Sequence, residues 1–124
     1  RQMCIRDRIY PVITMGERYT HMGSRENLLG KGYDAGLVER YSSERQVTPQ
    51  TPPAFIALSD NDEVVPVRNS ILYYDALKEN GVPAELHVYP TGRHGWIGRF
   101  DYWDEYRAAL LRWLGQVREG KLTE

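Results

Sequence analysis

Ala54-Phe55-Ile56-Ala57-Leu58, then Ser59-Asp60-Asn61-Asp62-Glu63, then Val64-Val65-Pro66-Val67: this stretch decides the fold. A continuous apolar run of strand length is the pattern of a parallel strand covered on both faces. The acidic turn after it ends the strand, and Val64-Val65-Pro66 leads into a helix expected from about Val67 to Asn80. In that helix Ile71, Leu72 and Leu77 are expected to face inward, with Gly81 as the C′ residue and Pro83 enforcing the stop.

Downstream, Ala84-Glu85-Leu86-His87-Val88-Tyr89 alternates as a second strand. A glycine-rich turn from Thr91 to Gly98 leads to a final helix expected over Asp101 to Arg118. There Trp103, Tyr106, Leu110, Trp113, Leu114 and Val117 form a stripe at helical spacing. Upstream, Ile9-Tyr10-Pro11-Val12-Ile13-Thr14-Met15 reads as a buried strand whose first half Pro11 makes irregular. A polar, glycine-punctuated insertion follows from Glu17 to Gly32, with one helical turn at Ser24–Leu29. Asp34 can cap a short helix bearing Leu37, Val38 and Tyr41, and Ser42 to Pro53 is loop. The order is strand, insertion, strand, helix, strand, helix, which implies an α/β fold with parallel pairing through right-handed crossovers. With one covering layer, these strands would make a poor core alone, so Ala54–Leu58 calls for neighbours on both sides.

Residues 1–8, Arg-Gln-Met-Cys-Ile-Arg-Asp-Arg, break every apolar pair with charge and are read as a non-native or disordered leader. The domain is expected over residues 9–118, with 119–124 as a tail. Hydrophobic residues make up 41% and charged residues 27%, the balance of a globular domain. A net charge of −1 supplies no attraction to nucleic acid or an anionic membrane surface, and no apolar run is long enough to span a bilayer. The single Cys4 forms no internal disulfide and leaves no Cys/His cluster for zinc, so neither metal nor cofactor is expected. The compartment is left open.

Asp62 falls just past one strand and His94 just past the next, at the edge where open parallel sheets bind ligands. A carboxylate that accepts the imidazole Nδ1 proton fixes the tautomer and leaves Nε2 as a general base. Gly92 and Gly95 would let the His94 turn fold tightly. Each residue also has a plainer reading: an Asp in a strand-to-helix turn can be a cap, and a loop His can simply be exposed.

Asp60-Asn61-Asp62-Glu63-Val64-Val65-Pro66-Val67 resembles the acid loop of α/β-hydrolases related to prolyl oligopeptidases and dienelactone hydrolases. Gly92-Arg93-His94-Gly95-Trp96 resembles their histidine loop. Together with Gly23-Ser24-Arg25-Glu26-Asn27-Leu28-Leu29-Gly30 and Thr51-Pro52-Pro53, the pattern is similar to acetylxylan-esterase-like hydrolases from about Ile9 to Gln116. The resemblance implies the C-terminal portion of an α/β-hydrolase fold, with an insertion segment after the first strand. It makes Asp62 the triad acid, with Asp60 as its rival, and His94 the triad base. His87 is then a surface or packing residue, and His21 an insertion-loop histidine.

The family's nucleophile sits in a G-x-S-x-G turn, and none occurs here. Ser24 is followed by Arg25-Glu26 instead of a tight glycine turn, and Ser59 and Ser70 have no glycine frame. The expectation is therefore a C-terminal fragment, lacking the N-terminal half of its own domain and inactive alone. In its complete form it would be a serine hydrolase of short acyl esters such as acetyl on carbohydrate. The alternatives are a fragment of a prolyl-oligopeptidase-type serine peptidase and a non-catalytic binding module.

Overall fold

The computed structural model describes residues 5–123. Three strands, β1 (Arg6–Ile9), β2 (Ala54–Ser59) and β3 (Ala84–Tyr89), form one parallel sheet in the order β1-β2-β3. Arg6 pairs with Ala54 and Ile9 with Ala57; across the other edge Ala54 pairs with Ala84 and Ser59 with Tyr89. The helices are α1 (Met22–Leu29), α2 (Ala35–Tyr41), α3 (Arg68–Glu79) and α4 (Trp103–Arg118). Asp34 caps α2 by accepting the Leu37 N–H at 2.8 Å, and Gly81 takes a left-handed φ of 68° just past α3.

Every residue of β2 is buried, as a central strand requires. Its alternation divides the core in two. Phe55 and Ala57 join Tyr89, Trp96, Tyr106, Ala109 and Trp113 under α4, whereas Ala54, Ile56 and Leu58 join Ile13, Tyr73, Leu77 and Val82 under α3. The sheet is therefore covered on both faces, by α4 on one and α3 on the other, as the unbroken apolar run of β2 requires. Burying a large apolar side chain contributes roughly 1.5–3 kcal/mol, so the two layers supply most of the drive to fold.

The first strand is a correction. Pairing falls at Arg6–Ile9, whereas the strand was expected over Ile9–Met15, so Arg6, Asp7 and Arg8 pair in the sheet. Residues 1–4 of the expected leader and Glu124 lie outside the described residues. Charge does not exclude a residue from an edge strand, where the ladder is made by backbone and the side chains reach water. Ile13, Thr14 and Met15 are buried but unpaired in the sheet. Side chains replace the ladder there: Asn69 Oδ1 accepts the Ile13 and Thr14 N–H groups at 3.0 and 3.1 Å, and Ser42 Oγ accepts that of Met15 at 2.9 Å.

The same Asn69 explains a second difference. The buried face of α3 is Asn69, Ser70, Tyr73 and Leu77, with Ile71 and Leu72 only partly covered. A fully enclosed amide that satisfies backbone groups from a distant segment sets the helix rotation, and the apolar count does not.

Candidate active site

Ser59 ends β2, and the chain turns at once, with the Asp62 N–H donating to the Ser59 carbonyl at 3.3 Å. Asp62 Oδ1 accepts the N–H groups of Val64 and Val65 at 2.9 and 2.8 Å, which leaves Oδ2 free to point across the sheet edge. There His94 Nδ1 meets Oδ2 at 2.8 Å. The Asp62 side chain is 1% exposed and that of His94 32%. The carboxylate is thus enclosed and fully bonded, while the imidazole keeps an open side. A carboxylate partner makes Nδ1 the donor, and in the neutral ring the lone pair then lies on Nε2, where it can accept a proton from a hydroxyl.

The histidine turn is held in a costly shape. Arg93 and Trp96 have φ of 54° and 50°, on either side of His94. Non-glycine residues in that region cost about 1–3 kcal/mol each and persist where the surroundings enforce them. The enforcing contacts are visible: Asn61 Oδ1 accepts the Arg93 N–H at 2.9 Å, and the Trp96 indole N–H donates to Ser59 Oγ at 2.9 Å. Trp96 also stacks on Phe100, with ring centroids 4.2 Å apart. Gly92, at φ 135°, has no room for a side chain, since a Cβ would come within 2.5 Å of Ser59 Oγ and 2.7 Å of Phe100. Beneath the turn, burial raises the Tyr89 and Tyr106 phenols above their usual range, reinforced by neighbouring acidic groups, so both stay neutral.

Asp62 and His94 are thus brought together as the strand order suggested, whereas Asp60 is exposed and uses its backbone N–H on the Tyr89 carbonyl at 2.7 Å. His87 bonds Glu85 at 2.6 Å and packs by Phe55, within the sheet. His21 is the N-cap of α1, accepting the Ser24 N–H on Nδ1. Ser59 and Ser70 are buried, and among the described residues no serine hydroxyl bonds to His94. Tyr10 is a site residue that sequence reasoning passed over: just past β1, its ring lies edge-on to that of His94 at 4.7 Å. The sequence offered no signal for it, because the strand expected over Ile9–Met15 put Tyr10 at its start, whereas β1 ends at Ile9.

A parallel sheet covered on both faces, with acid and imidazole on adjacent turns at its carboxyl edge, is the architecture of part of an α/β-hydrolase. The chain belongs to the prolyl oligopeptidase family, whose profile matches residues 5–120. It is 44% identical to an acetylxylan esterase from Xylanibacter ruminicola over 110 residues, 86% of this chain and 22% of that protein. It is 46% identical to an endo-1,4-beta-xylanase B from Butyrivibrio fibrisolvens over 69% of this chain and 13% of that protein. Among solved structures, an acetyl ester-xyloside bifunctional hydrolase from Caldicellulosiruptor lactoaceticus superimposes with a TM-score of 0.79 at 37% identity, covering 90% of this chain and 42% of that one. The chain thus spans under half the length of each of these relatives. No helix among the described residues is long and apolar enough to cross a membrane.

Proposed function

We propose that this chain carries the acid and the base of a serine-type hydrolase that removes short acyl groups, such as acetyl, from carbohydrate. The carrying observation is the 2.8 Å bond between His94 Nδ1 and an enclosed, doubly anchored Asp62. The esterase and xylan-related names of its relatives support the substrate class.

In this reading His94 Nε2 takes the proton of a serine hydroxyl supplied by a part of the hydrolase outside these 124 residues. The alkoxide attacks the ester carbonyl, and the acyl-enzyme forms as the sugar hydroxyl leaves with the proton from His94. Water then repeats the sequence, and the acid is released. Asp62 stabilises the imidazolium in both halves without taking its proton. The stretch Glu17–Gly32, tied to the acid loop through Asn69, forms part of the rim over the acyl group.

The family itself supports a second reading, a serine peptidase using the same pair. Turnover of acetylated xylo-oligosaccharides and of peptide substrates by the complete hydrolase separates the two. Ester cleavage that is lost on His94→Ala supports the first, and peptide cleavage without ester cleavage overturns it. The 124-residue chain alone is expected to be inactive on short p-nitrophenyl esters, for want of nucleophile and oxyanion donors.

A further inference from the structure

Away from the Asp62–His94 pair, a cleft of about 480 Å³ opens among Gly16, Glu17, Arg25, Tyr33, Glu39 and Arg45. Its volume lies within the range of small-ligand sites. Arg25 is the unexplained residue. It is 4% exposed, and its Nε and one terminal nitrogen, Nη1, have no hydrogen-bond partner. The other terminal nitrogen reaches only Glu17, at 3.6 Å, whose carboxylate is 83% exposed. The guanidinium lies over the Tyr33 ring, 4.5 Å from its centroid. An enclosed, under-bonded guanidinium stacked on an aromatic ring is costly unless something completes its bonding.

We propose that this cleft binds a neutral sugar unit. The charge balance selects the ligand. Glu17, Asp34 and Glu39 set three carboxylates against the two guanidiniums of Arg25 and Arg45, and Glu39 already pairs with Arg45. A carboxylate or phosphate entering there meets net negative charge. A cation meets the unpaired donors of Arg25. A sugar avoids both conflicts, because its hydroxyl oxygens accept from guanidinium and its hydroxyl hydrogens donate to carboxylate. Its apolar ring face suits an aromatic wall such as Tyr33.

The cleft is also within reach of the proposed chemistry. One continuous segment carries Tyr10 against His94 and Glu17 into the cleft. An extended chain covers at most about 3.6 Å per residue, so the two ends are within roughly 25 Å. An oligosaccharide can bridge that distance, with one unit seated over Arg25 and an esterified unit near His94.

The choice of xylan-type sugar as probe rests on the function proposed above; the cleft's preference for a neutral sugar does not. The test is a titration of the 15N-labelled complete hydrolase with xylotriose, cellotriose, glucuronate and inorganic phosphate, followed by amide TROSY NMR. None of these carries an ester, so the result is independent of esterase activity. Xylotriose should shift Gly16, Glu17, Tyr33 and Val38 saturably, with a dissociation constant on the order of 1 mM. Tyr33→Ala should weaken binding roughly tenfold. Glu17→Ala, at a position too exposed to disturb folding, should weaken it about threefold. Binding of cellotriose in place of xylotriose keeps the sugar site and changes only the substrate class. Shifts with glucuronate or phosphate but with neither neutral sugar overturn the proposal. So do shifts centred elsewhere, unchanged affinity in both variants, or no shift at all.

Discussion

The indole N–H of Trp96 donates to the hydroxyl of Ser59 at 2.9 Å, and that hydroxyl donates in turn to the Thr91 carbonyl at 3.3 Å. One buried side chain at the end of β2 thereby holds both ends of the histidine turn in register with the acid loop. Ser59→Ala leaves the indole N–H enclosed without a partner, a loss of about 1–3 kcal/mol. Urea unfolding followed by tryptophan fluorescence checks this. Unchanged stability would mean the bond contributes nothing.

Gly92 is the tightest point of the same turn. Gly92→Ala drives a methyl group into Ser59 and Phe100 at a φ that side chains avoid. Overpacking of this kind costs about 1–3 kcal/mol. The near-UV circular dichroism of the Trp96–Phe100 stack should weaken as well. A variant as stable as the parent would contradict the placement of the turn.

Asn69 uses all of its hydrogen-bonding capacity on four backbone groups. It accepts from Ile13 and Thr14 and donates to Tyr19 at 2.6 Å and Pro66 at 3.1 Å. Asn69→Ala strands several of them at once and should cost about 3 kcal/mol or more. Asn69→Asp keeps the acceptors but loses both donations, so hydrogen exchange should rise chiefly around Tyr19. Equal protection in both variants would rule out the hub.

Most elements were legible because their signals are local. The run Ala54–Leu58, the Gly81 stop and the stripe of α4 each fit within a few turns of chain, and the structure has β2, α3 and α4 close to the expected bounds. The meeting of Asp62 and His94 was legible because strand order brings consecutive carboxyl ends to one edge, while the choice of Asp62 over Asp60 came from the resemblance of the acid loop. What escaped is non-local. Asn69 is bonded 56 positions away, Trp96 is tied to Ser59 across 37, and Tyr10 meets His94 only after the sheet has formed. Arg6–Ile9 was missed for another reason: an edge strand needs backbone pairing and tolerates charge.

That edge makes its own prediction. Among the described residues β1 pairs on one side only, while Leu111 on α4 is 69% exposed and Ile97 beside the histidine turn 91% exposed. The 124-residue chain should associate as its concentration rises and unfold with marginal stability. Light scattering over a concentration series reads the first, and a denaturant titration the second. A monomer that unfolds in one sharp transition with several kcal/mol of stability would favour a free-standing module.

The acid–base pair is tested most directly by kcat/KM of the complete hydrolase on an acetylated xylo-oligosaccharide, compared among Asp62→Asn, Asp60→Asn and His94→Ala. An amide at position 62 can still accept the Val64 and Val65 N–H groups, so the loop survives, but its amino group then faces His94 and the imidazole loses its tautomer. Losses on the order of 10³–10⁴-fold are expected for Asp62→Asn and at least as much for His94→Ala. Asp60→Asn, exposed and bonded through its backbone, should stay within about twofold of the parent, since surface changes away from the site are nearly neutral. A folded Asp62→Asn enzyme with parental kcat/KM, or a loss that follows Asp60 instead, would contradict the assignment.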